Sequence, residues 1–206
     1  MFFCEATSVE GFVQQLAVAY VRNGYFFYVP GAIPEGKDPK ATDERIIQKY
    51  EIDVSKWVRW RRKQAGQANV QYIRFGRFFV LMATEGEHHF FMEEHDIRDI
   101  RRFPIRFYGY SIGYRQGKDG KWHPSVRIDE VEFAVLKAKL LQTALNGGVE
   151  FLVGRFQSLQ FAPYAPVRDQ YFSLLRAVNQ TRKKAGLETL PFEVLPLRRK
   201  PIRPFG

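Results

Sequence analysis

The chain has 206 residues, which fits one domain or one domain with a small appendage. Hydrophobic residues make up 45% and aromatics 16%, enough for a packed core and too much for overall disorder. A formal charge of +10 points to an anionic partner: nucleic acid, a membrane surface or an acidic protein.

Cys4 is the only cysteine, so the chain alone builds neither a disulfide framework nor a cysteine zinc site. A buried free thiol in a reducing compartment is expected. MFFCEATSVE lacks the basic start of a secretory signal, and the longest apolar runs, residues 78–83 and 17–21, are too short to span a bilayer. The expectation is a cytoplasmic protein with no membrane partner.

A first helix is predicted over residues 9–22, with Thr7 and Glu10 at capping-box spacing and Asn23-Gly24 as the stop. Residues 25–29 (YFFYV) read as a buried strand and 30–41 as a polar loop. A short helix follows over 42–50, started by Thr42 or Asp43. A second runs from Ser55 to about Gly66. Residues 69–75, 78–84 and 87–93 read as a three-stranded antiparallel meander, and the charged stretch 93–103 as a short helix ended by Pro104. Residues 105–115 and 121–128 form a hairpin across QGKDG. Helices are predicted over 129–145, capped by Asp129, over 149–158, and over 166–186, with Pro166 at its start and Gly186 past its end. The expected fold is α+β: an antiparallel sheet of about five to six strands packed with N- and C-terminal helices. Residues 1–189 are read as a single domain and 190–206 as a basic, proline-rich arm.

Four basic clusters stand out. KWVRWRRK, residues 56–63, holds five cations and two tryptophans. At helical spacing Lys56, Arg59, Arg62 and Lys63 share a side beside Trp57 and Trp60, a pattern that suits a phosphate backbone. In the other reading the tryptophans are core and the cations merely solvate the far side. Arg98, Arg101 and Arg102 form a second cluster, with Asp96 and Asp99 near enough to neutralise them. In the 105–128 hairpin, Gly109, Ser111 and Gly113 leave one strand face nearly bare, with Arg115 and Arg127 beside it. That face admits either a ligand or a packed element of the same chain. Arg198, Arg199 and Lys200 lie in the tail.

Three of the four histidines fall in TEGEHHFFMEEHD, residues 84–96. Were 87–93 a strand, Glu87 and His89 would share a face and, with His95 or Asp96, hold a divalent metal such as Mg or Mn. A histidine pair on a strand with a tyrosine on a nearby helix resembles the arrangement in rolling-circle replication and transposition nucleases. There a bulky apolar residue separates the histidines. Here His88 and His89 are adjacent, and Tyr171 is the nominal nucleophile. No phosphate loop, dinucleotide fingerprint, HExxH or nucleophile elbow occurs, so no cofactor is expected outside the metal reading.

Three functions compete. The first is a DNA- or RNA-binding protein contacting phosphates through several basic clusters. The second is a metal-dependent nuclease or strand-transfer enzyme of a mobile element or replication initiator, using residues 84–96. The third is a basic scaffold docking on an acidic protein.

Overall fold

The structure, a computed structural model, describes residues 2–117 and 119–206. Lys118, in the expected QGKDG turn, lies outside the described residues, as does Met1. The chain adopts the expected α+β class, its strands divided between two antiparallel sheets. It folds as two compact units: residues 1–105, 112–125 and 202–206 form one, and 106–111 with 126–201 the other.

The first unit opens with α1 (Val9–Gln14), which continues as a π-helical turn over Gln15–Tyr20 and a 3-10 turn over Val21–Asn23. Ser8, not Thr7, caps it, its hydroxyl accepting the Gly11 amide at 3.0 Å. Gly24 ends it at a φ of 90° that a side chain would disfavour. β1 (Phe27–Ala32) starts later than expected and includes Pro30 and Gly31. Two facts make this possible. The neighbouring β4 (Arg98–Asp99) pairs only with Phe27 and Tyr28, so Pro30's missing N–H falls where that edge is unpaired. At Gly31 a Cβ would lie 2.2 Å from the Phe79 ring, so a side chain there would force that ring to move.

α2 (Pro39–Lys49) is capped by Asp38, which accepts the Lys40 and Ala41 amides, with Pro39 in its first turn. Thr42 and Asp43, the two expected starts, lie inside the helix, and Asp43 is buried. α3 (Lys56–Gln64) has the expected Ser55 cap. β2 (Val70–Phe75) and β3 (Phe78–Ala83) make the expected hairpin across Gly76. They are buried on both faces, which is why β3 reads as a continuous apolar run.

The third strand of the expected meander does not form. Residues 90–93 are a helical turn, α4 (Phe90–Glu93), and β1 pairs with the far side of β3. Local contacts decide it: the His88 ring nitrogen Nδ1 accepts the Phe90 amide at 3.0 Å, and Phe90 is fully buried against Tyr50. Nor is 93–103 a helix, since Arg98–Asp99 is β4. The sheet order is β2-β3-β1-β4.

A second sheet joins β5 (Ile105–Phe107), β6 (Tyr110–Gln116) and β7 (Trp122–Ile128) in that order. β6 and β7 each continue from one unit into the other. In the second unit, α5 (Glu130–Ala144), α6 (Val149–Gln157) and α7 (Ala165–Lys184) enclose a core of Leu140, Leu152, Phe156, Tyr171 and Leu174. The tail is anchored to it: Leu190, Val194 and Leu195 join this core. Buried Arg182 donates to the Ala144 and Gly147 carbonyls, satisfying the open end of α5. Further on, Pro204 accepts the Thr7 amide at 3.0 Å in the first unit.

Candidate functional site

α3 presents its faces the other way round from the simplest periodic reading. Arg59 and Arg62 turn inward: Arg59 Nη1 donates to the Val54 carbonyl at 2.8 Å, and Arg62 pairs with Glu51. Trp57 and Trp60, which the other reading placed in the core, are 67% and 58% exposed. Lys56, Arg61 and Lys63 are exposed too, and among the described residues none of the three makes an ion pair. The Lys56 ammonium lies 5.3 Å from the Trp57 ring centre. Arg61 is a cation that sequence reasoning passed over. The outer face of α3 is therefore two open indole rings among three unneutralised cations.

A second aromatic platform lies on the hairpin. Trp122, 53% exposed, stacks on Tyr114 with centroids 5.9 Å apart and planes 21° from parallel. Tyr114 packs on Phe26 at 4.8 Å, and the Arg101 guanidinium covers Phe26 at 4.8 Å. Arg115 and Lys121 are exposed on the same hairpin. Sequence reasoning missed this column, although aromatics on both hairpin strands were its signal.

The other clusters fare differently. Arg101 is spent on Asp99, with Nη2 2.8 Å from Oδ2, and on Glu85 at 3.0 Å. Arg98 and Arg102 are exposed. The bare glycine face is covered by the chain itself: a Cβ on Gly113 would meet Pro104 at 3.5 Å, and one on Gly109 would meet Phe161 at 3.0 Å. Arg127 is half-buried, its Nε without a hydrogen-bond partner among the described residues. Arg198, Arg199 and Lys200 are exposed, with Arg199 over the Tyr164 ring at 4.5 Å.

The histidine segment is knitted into the fold. His89 Nε2 lies 2.9 Å from the Lys49 carbonyl, which requires that nitrogen to donate, and its ring stacks on Tyr50 at 5.3 Å. Burial, then His89 and Arg62, pull the His88 pKa below the ordinary histidine value. Glu87, His95 and Asp96 are exposed. Among the described residues, no three His, Cys, Asp or Glu side chains come together as a metal-binding group. Tyr171 is fully buried and donates to the Phe161 carbonyl at 2.7 Å, and burial pushes its pKa well up. A phenol so placed has no route to a substrate. Burial, then Asp43, likewise pushes the Cys4 thiol up to about 12, which makes it a poor nucleophile.

No helix among the described residues is long and apolar enough to cross a membrane. No protein-family model matches the chain, and no curated protein proves similar to it.

Proposed function

We propose that the protein binds single-stranded nucleic acid. Unpaired bases stack on Trp57, Trp60 and Trp122, and phosphates pair with Lys56, Arg61, Lys63, Arg115 and Lys121. One observation carries the reading: all three tryptophans of the chain are more than half exposed, and on α3 two of them stand among exposed cations that make no ion pair among the described residues. Tryptophan is on average a largely buried residue, and a folded chain gains by covering such a ring. Every base offers a π-face, and stacking one on an aromatic ring contributes about 1–3 kcal/mol. Duplexes hide those faces, so the arrangement favours unpaired strands.

The test is titration of labelled single-stranded and duplex oligonucleotides at several salt concentrations, followed by tryptophan emission. Single strands quench the emission and bind more tightly than duplexes, and affinity falls steeply with salt. Preference for duplex, or binding to no probe while anionic vesicles bind, overturns the reading.

A further inference from the structure

Beside α3 the first unit holds a cavity of about 610 Å³. Small-molecule sites span about 300–1,000 Å³, so one nucleotide fits this volume. Its lining is unusually polar at depth. Asn69 and Gln71 line it, and they are only 4% and 6% exposed. Tyr20 and Tyr25 bring buried phenols. α3 supplies Arg59, Trp60 and Lys63.

Asn69 is the informative residue. Its backbone is satisfied within the fold: the N–H donates to the Thr84 hydroxyl at 2.9 Å, and the carbonyl accepts the Thr84 amide at 3.0 Å. Nδ2 donates to the Arg59 carbonyl at 3.0 Å. Oδ1 is the one side-chain atom of Asn69 with no partner at all among the described residues, and it is buried. Exchanging the two ends of the carboxamide would set oxygen against the Arg59 carbonyl, so the orphan is an acceptor and stays one. Buried acceptors are rarely left unpaired, and this one belongs to a residue that lines the cavity, so a donor from outside the chain would satisfy it.

We propose that this cavity takes a single nucleobase, with its phosphate toward Lys63. A base N–H, ring imino or exocyclic amino, donates to Asn69 Oδ1, and Trp60 stacks on the base. One Nδ2 hydrogen is committed to the Arg59 carbonyl, and Oδ1 is the acceptor that a base N–H meets. Oδ1 is shielded now, so the bond forms once a neighbouring side chain moves aside. In its choice of ligand the inference rests on the nucleic-acid reading. The base could belong to a strand or to a free mononucleotide, and the experiment separates them.

The probes are the adenosine, guanosine, cytidine and uridine 5′-monophosphates, ribose 5-phosphate, and a single-stranded oligonucleotide. Trp57→Phe with Trp122→Phe leaves Trp60 as the sole fluorescent reporter, and isothermal titration calorimetry reads the affinity of every variant, including the one that lacks Trp60. The variants are Asn69→Leu and, because that change also removes the bond to Arg59, the surface change Trp60→Ala. Thermal melting checks that both fold. Expected is saturable binding of at least one mononucleotide, none of ribose 5-phosphate, and at least tenfold weakening in both variants. Weakening of oligonucleotide binding in the same variants assigns the pocket to a base within a strand, and unchanged oligonucleotide binding assigns it to a free mononucleotide. Ribose 5-phosphate binding as well as the nucleotides overturns the inference. So does the absence of mononucleotide binding combined with wild-type oligonucleotide affinity in Asn69→Leu, which leaves the strand-binding reading standing. Mononucleotide binding without any oligonucleotide binding upholds the pocket and sinks the strand reading instead.

Discussion

Arg74 grips Asp43 side-on in the interior of the first unit, with Nε 2.9 Å from Oδ1 and Nη2 2.9 Å from Oδ2, both side chains almost wholly out of water. The Tyr72 hydroxyl donates to the same Oδ1 at 2.7 Å, so the carboxylate is met on several sides. Such a pair is costly to assemble and costlier to halve. Arg74→Met strands a buried carboxylate and should destabilise by about 3–5 kcal/mol. The double change Arg74→Met with Asp43→Asn should cost clearly less than the sum of its parts. Urea unfolding in a double-mutant cycle reads this directly, and additive energies would refute the coupling.

The two faces of α3 should separate experimentally. Lys56→Gln with Lys63→Gln should leave the melting temperature unchanged and lower the slope of log affinity against log salt by about 1.4, at roughly 0.7 per phosphate contact on a single strand. Arg59→Ala removes the bond to the Val54 carbonyl and should lower stability by about 1 kcal/mol or more. An α3 whose outer cations set the melting temperature would contradict the assignment of faces.

His88 should make stability sensitive to mild acid. Its pKa is depressed in the fold, and Nδ1 must stay unprotonated to accept the Phe90 amide. The unfolded chain therefore binds the proton more readily. The contribution is fully present above the ordinary value of 6.5 and is lost as pH falls through the lower folded value. Melting temperature should drop between neutral pH and about pH 5, and His88→Asn should flatten that stretch of the curve. Equal slopes in both proteins would show that other groups carry the acid sensitivity.

Tyr171→Phe should act on stability alone. It deletes the hydroxyl bonded to the Phe161 carbonyl and leaves that carbonyl unpaired, at a cost of about 1–3 kcal/mol. Oligonucleotide binding should stay at the wild-type level, and the chain-unfolding midpoint should move. A variant with unchanged stability and altered binding would place Tyr171 in a role its burial argues against.

What the sequence made legible was what local chemistry decides. Ser55 before α3, Asp129 before α5, Gly76 between β2 and β3, and Gly186 after α7 are cap and turn signals, and each fell where expected. What escaped was decided by partners far along the chain. The alternation of EHHFFME reads as a strand, yet Lys49 and Tyr50, some 40 positions earlier, hold His89 and Phe90 in a helical turn. Orientation of α3 escaped because its inward face is polar. Arg59 and Arg62 reach the Val54 carbonyl and Glu51, so the usual rule that tryptophan turns inward and arginine outward runs backwards there. The orphan oxygen of Asn69 carries no sequence signal at all, since only the placement of Thr84 and Arg59 reveals it.

The bond between Thr7 and Pro204 has a consequence for how the chain is made. The residues lie 197 positions apart, and Gln14 reaches Ile202 in the same way. A ribosome must carry synthesis across that whole span before this corner of the first unit can close. Loop closure over such a span is slow, whereas the second unit's core comes almost entirely from the single stretch 126–201. The order of synthesis and the order of assembly therefore run against each other. Residues around Thr7 and Gln14 wait for partners that are translated much later.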